Sequence, residues 1–233
     1  MINRIISIAV LLIAVALVSC KKDNNDSNTL GGDTNIDLTK VDSVSGVYAQ
    51  LDGGSSVSVD IKVKSNNNGE VTYTGTLDLL SLPADLQSKA LEIYNDHGDY
   101  YEASKYVTLT PDMKLNFEFT VRITSEGYMD YFTNDEPWVM VKYNDPEGTK
   151  YTVTNKNGET LTRTITEKTG QDDWPYGFFY IKTSKVEQEV ASDDPLLASI
   201  SYRANHKFGL VYLEYNFLDG TTLEIDLFPW FLF

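Results

Sequence analysis

In "KLNFEFTVRIT", residues 114–124, apolar and polar side chains alternate without a break: Leu115, Phe117, Phe119, Val121 and Ile123 against Lys114, Asn116, Glu118, Thr120, Arg122 and Thr124. A period of two sends the two sets to opposite faces of an extended chain, so this is a β-strand with one buried and one wet face. "SVSVDIKVK" (residues 56–64) does the same with Val57, Val59, Ile61 and Val63, and "EVTYTGTLDL" (70–79) with Val71, Tyr73, Leu77 and Leu79. Threonine, valine and tyrosine are the residues that fit a pleated, half-buried surface.

Turn chemistry joins these runs. "SNNNGE" (65–70) links two of them, Asn157-Gly158 separates "YTVTNK" from "ETLTRTI", and Asp219-Gly220 separates "LVYLEYNFL" from "TTLEIDL". The last two pairs suit a type I′ hairpin, which needs positive φ at both central residues. Tight turns between antiparallel neighbours predict a meander and argue against a parallel α/β sheet. One segment departs from the period. In "SLPADLQSKALEIYNDHG" (81–98), Leu82, Leu86, Ala90 and Ile93 recur at helical spacing, with Pro83 placed for a first turn and Gly98 for a stop. This predicts one helix over residues 83–95. About a dozen strands of this kind predict an all-β domain, an antiparallel meander closed as a barrel or, alternatively, folded as a β-sandwich.

The first residues give an address. Arg4 precedes a fourteen-residue run (5–18) that is apolar except for Ser7, and the small Ser19 precedes the single cysteine, Cys20. The run fits a signal-peptide core and falls short of the roughly 20 residues that span a bilayer. One cysteine makes no internal disulfide. Leu17-Val18-Ser19-Cys20 resembles the bacterial lipobox, and "CKKDNND" (20–26) resembles the lysine-and-acid export tag of Bacteroidota-type surface lipoproteins. The resemblance implies that residues 1–19 are a lipoprotein signal peptide, that the mature chain is acylated (palmitate among its chains) on Cys20, and that it sits on the outer membrane exposed at the cell surface. Two or more acyl chains make such an anchor permanent. Residues 21–40 hold few apolar positions and no aromatic, so residues 20–40 read as the lipidated cysteine and a flexible tether, and 41–233 as one all-β domain. "VSGVYAQL" (44–51) resembles the Gly-x-aromatic first strand of lipocalin-like (calycin) lipoproteins, with Tyr48 where a tryptophan is usual.

The formal net charge is −15, which repels phosphate backbones and excludes nucleic acid as a partner. Catalysis has no visible machinery: there are two histidines, His97 and His206, neither beside a nucleophile motif, and no Gly-x-Ser-x-Gly. The chain is therefore read as a non-enzyme without a cofactor. The most suggestive stretch is "QDDWPYGFFY" (171–180). Trp174 and Tyr176 flank a proline behind Asp172 and Asp173, and Trp138 is a further candidate. An exposed ring stacks on a sugar face while carboxylates take its hydroxyls; equally, large aromatics cap cores. Surface lipoproteins of the resembled type serve glycan capture. The expectation is a non-catalytic binding role for a glycan or small apolar ligand. The alternative is a structural subunit docking an outer-membrane partner through the aromatic terminus "DLFPWFLF" (226–233), and a third reading is haem or metal capture through His97 and His206. The leading reading of that terminus is instead that Leu223, Ile225 and Leu227 line the core and Trp230 to Phe233 plug one end of it. Cys20→Ser should abolish palmitate incorporation and move the protein from the membrane to the soluble fraction; a variant that stays membrane-bound would refute the anchor.

Overall fold

The computed structural model describes residues 28–131, 137–154 and 158–229. The alternating runs become strands in chain order: β1 (Val44–Leu51), β2 (Ser56–Asn67), β3 (Glu70–Asp78), the helix α1 (Ala84–Asp96), β4 (Val107–Leu109), β5 (Lys114–Thr124), β6 (Gly127–Asp130), β7 (Trp138–Lys142) and β8 (Lys150–Thr154). They continue as β9 (Thr160–Lys168), β10 (Trp174–Tyr176), β11 (Phe179–Ile181), β12 (Ser184–Gln188), β13 (Leu197–Asn205), β14 (Gly209–Phe217) and β15 (Thr222–Pro229). The main sheet runs β7-β6-β5-β3-β2-β1-β15-β14-β13-β12-β9-β8, and β4 pairs with β5. Neighbours are antiparallel, and the first long strand pairs with the last from Ser45↔Pro229 to Leu51↔Leu223. One sheet thus wraps on itself as a nearly closed barrel rather than splitting into a sandwich.

The inward sets are those the alternation marked: Leu115, Phe117, Phe119, Val121 and Ile123 of β5 are buried, as are Leu223 and Ile225 of β15. Leu227 is half-buried and packs against the same core. The helix closes one mouth, with Leu86, Ala90 and Ile93 fully buried. Lys89 lies buried beside them because its ammonium reaches Asp219 (2.5 Å) and Glu92 (2.9 Å) over the Phe217 ring. The segment read as a tether closes the other mouth from residue 28 onward. Asn28 donates to the Pro137 carbonyl and accepts from Val139 N–H, Leu30 is buried, and the 3₁₀ turn Asp37–Thr39 buries Leu38. Sparse apolar residues that looked insufficient for order find a core edge already built by the strands.

Turn geometry also differs from expectation in one place. At Asp219-Gly220 only the glycine has positive φ (87°), and its N–H bonds to the Phe217 carbonyl, a three-residue loop with a glycine bulge. The I′ geometry appears instead at Asn68-Gly69 (φ 53° and 91°), between the register pair Asn67↔Glu70. Asn157 lies outside the described residues.

The ends of the sheet path, β7 and β8, share no backbone ladder among the described residues. Side chains close this seam. Arg163, on the inner face of β9, donates from Nη1 to the carbonyls of Trp138 (3.3 Å) and Val139 (3.1 Å) and from Nε to Gln188 Oε1 (2.7 Å). Its Nη2 lies 2.6 Å from Asp130 Oδ2, and both residues are 0 % exposed. The Tyr202 hydroxyl donates to the Met140 carbonyl (2.7 Å), and the Tyr151 hydroxyl accepts from Lys142 N–H (3.2 Å). The backbone of β7 is therefore met by a guanidinium, two phenols and the Asn28 amide. Arg163→Ala would remove the guanidinium that faces the buried Asp130 carboxylate and should cost about 3–5 kcal/mol in urea unfolding. Arg163→Lys should recover only part, because an ammonium cannot span the fork; full recovery by lysine would show that the fork geometry is unimportant.

Candidate functional site

β9 and β12 pair directly, Lys168 against Ser184, so residues 169–183 leave the barrel as an excursion. It contains the stretch singled out in the sequence, folded as the β10–β11 hairpin with Tyr176 opposite Phe179. Gly177 takes φ 60° at the first loop position and Phe178 stays outside the positive region, the pattern of a two-residue II′ turn. The hairpin lies against the outer wall of the barrel, and a β-bulge makes its seat. The β13–β14 register shifts at Arg203/Ala204, which leaves Val211 as the extra residue of β14. Two consecutive side chains, Val211 and Tyr212, then face outward together, and both pack in the hairpin's apolar cluster.

This seat decides the fate of the predicted residues. Tyr176 is buried, its ring stacked on Phe228 (4.9 Å) and Phe208 (5.2 Å), and its hydroxyl donates to the Leu227 carbonyl. Burial pushes its phenol well above the usual range. Trp174 is half-buried, tilted on Tyr212 (5.3 Å) and covered by the Arg203 guanidinium at 4.1 Å. Arg203 holds both Glu167 oxygens (2.8 and 3.2 Å), and these bonds lower the Glu167 carboxyl below its ordinary value. Trp174 and Tyr176 therefore fasten the hairpin rather than present it. Asp172 and Asp173 are exposed in the turn before β10. Trp138 is 1 % exposed at the β7–β8 seam, under Arg163 (3.6 Å), and does not join the patch. Its ring packs with Val153 of β8 and Leu161 of β9.

The rings that face solvent are Phe178 (92 % exposed), Tyr180 (61 %) and Phe179 (39 %). The Gly177-Phe178 pair was the sequence signal for this, since a II′ turn puts its second residue at the hairpin tip. Beneath the tip runs a groove of about 380 Å³ on the outer wall of β1, β2 and β15. Gly46 lies across from Asp60 on one side and Phe228 on the other; Tyr48 lies across from Ser58 and Asp226. With no side chain at Gly46, the sheet backbone is the floor. Inside the barrel the void beside Leu38, Tyr73 and Tyr128 is about 40 Å³, room for a few waters and for no organic ligand.

His97 caps α1 at one mouth, and His206 lies in the β13–β14 turn at the other. The nine residues of β14 separate those mouths by roughly 27 Å, so the two cannot share a haem or a metal. Cys20 and residues 230–233 lie outside the described residues.

Burial first, and then Glu224 on the same strand, push the Asp226 carboxyl up to about 6. The folded chain therefore binds a proton more tightly than the unfolded one, whose aspartate titrates near 3.9, and stability falls as pH rises through that window. Asp226→Asn should leave stability unchanged near pH 4 and raise it at pH 7 by about 1–2 kcal/mol, discounted for solvent screening of this partly exposed group. Urea midpoints at the two pH values check it; equal effects at both would be inconsistent with the shift.

No protein-family model matches the chain, and neither the curated proteins nor the solved structures gave a match.

Proposed function

We propose that this chain is a non-catalytic binding protein of the cell envelope, anchored through lipid on Cys20, whose ligand seats in the outer-wall groove under the Phe178 tip. The observation that carries the reading is the contrast between the barrel interior and this ring-lined groove. The interior is filled, while the groove falls in the size range of small-molecule sites, roughly 300–1,000 Å³, and offers ring faces beside hydroxyl and carboxylate groups. Such a surface suits a sugar or another compact ligand with an apolar face.

The anchor is compatible with access. Asn28 is fixed on β7, and eight residues from Cys20 reach roughly 28 Å at most. β7 lies half-way round the sheet path from β1 and β15, so the groove opens on the wall away from the tether. Haem or metal capture by a histidine pair is set aside by the separation of His97 and His206. Native mass spectrometry of the protein purified gently from its host should show a bound small mass that Phe178→Ala loses. A bare protein in both forms would refute ligand carriage and turn attention to a docking role.

A further inference from the structure

The chain has one cysteine, Cys20, so no internal disulfide fastens the helix that seals the barrel mouth. A side-chain cluster around Lys89 ties it down instead. This lysine sits on the buried side of α1, its side chain 5 % exposed, with Nζ 4.3 Å above the Phe217 ring. Nζ lies 2.5 Å from Oδ2 of Asp219, in the turn between β14 and β15, and 2.9 Å from Oε2 of Glu92, one helical turn on. The other oxygen of Asp219 is held separately. Its Oδ1 accepts from Thr221 N–H (2.9 Å) and from the Thr221 hydroxyl (2.6 Å). An amine against a carboxyl group, a second carboxylate on that amine and two donors on the far carboxyl oxygen are the parts of an amide-forming site. Partial burial pushes the Asp219 carboxyl up, but bonds from Lys89 and Thr221 outweigh it and hold the group at about 2. The pair therefore rests as ions, and reaction waits on a proton transfer.

We propose that Lys89 and Asp219 join covalently, forming an isopeptide bond that locks α1 to the β14–β15 turn. Glu92 takes a proton from Nζ, and the freed amine attacks Asp219 Cγ. The new N–C bond forms while charge gathers on Oδ1, where the two Thr221 donors stabilise it. The bond from Cγ to Oδ2 then breaks. Of the three ammonium protons, one stays on the amide nitrogen and two leave with Oδ2 as water. Glu92 relays them and ends ionised as it began. Nothing is oxidised or reduced, and no co-reactant is consumed. Asp219 and Glu92 stand 45 % and 38 % exposed at the rim, so the water has a way out. The bond spans 130 positions of the chain, and a cross-link over a long loop constrains the unfolded state most.

Peptide mapping of the full chain by mass spectrometry tests this, on fresh protein and after prolonged warm incubation short of unfolding. The peptides carrying Lys89 and Asp219 should appear joined, at a mass one water below their sum. Lys89→Arg keeps the charge with a far poorer nucleophile and should abolish the joined species. Glu92→Gln should slow its appearance about a hundredfold. Two separate peptides of full mass after incubation of the unaltered chain would overturn the cross-link, whatever the stability of the variants. So would a loss of water confined to the Asp219 peptide and retained in Lys89→Arg, which marks a succinimide at Asp219-Gly220. Joining at an unchanged rate in Glu92→Gln would overturn the proton relay.

Discussion

Closure of the barrel depends on Arg163. Twelve strands bring the sheet round until β7 and β8 face each other, but among the described residues no ladder joins them, and an open edge facing a core would leave carbonyls without donors. A guanidinium is suited to this place because its five N–H groups fan out in one plane. Two carbonyls of β7, one amide oxygen of β12 and one carboxylate of β6 receive it at four points. Burying the Arg163–Asp130 pair is expensive unless its partners are present, and those partners come from β6, β7, β9 and β12. Trp138 stacks on the same guanidinium.

The opposite wall follows a different logic. There the ladder is continuous from β2 through β1, β15 and β14, and its outer face is free to carry something. The bulge at Val211 supplies a larger apolar seat than alternation allows, and the hairpin built on Gly177 settles on it. Tyr176 is the fastening point, with rings on both sides and its hydroxyl on the last strand. Once Trp174 and Tyr176 are consumed in packing, Phe178 and Tyr180 remain outside. A groove arises because the tip overhangs a glycine.

The filled interior separates this barrel from one that carries its ligand inside. Helix α1 seals one mouth and Leu38 the other, and Phe117, Phe119, Tyr202 and Tyr215 fill the space between. Gly46 and Tyr48 face outward and form the groove's floor and flank.

Strand identity, the single helix and its buried stripe, and the antiparallel meander were legible in the sequence, because side-chain period is a property of a few consecutive residues and needs no partner. The stretch "QDDWPYGFFY" stood out too, since so many rings in one turn-rich segment must either pack or bind. Which rings do which was not: Tyr176 is buried and Phe178 exposed through contacts with Phe208, Phe228 and a bulge some thirty residues away. Nor did the charge of Arg163 announce a core position, for its role exists only when β6, β7, β9 and β12 have met. Local sterics write the period of a strand, whereas closure, burial of charge and the shape of a groove are decided by residues far apart in the chain that tertiary structure alone brings together.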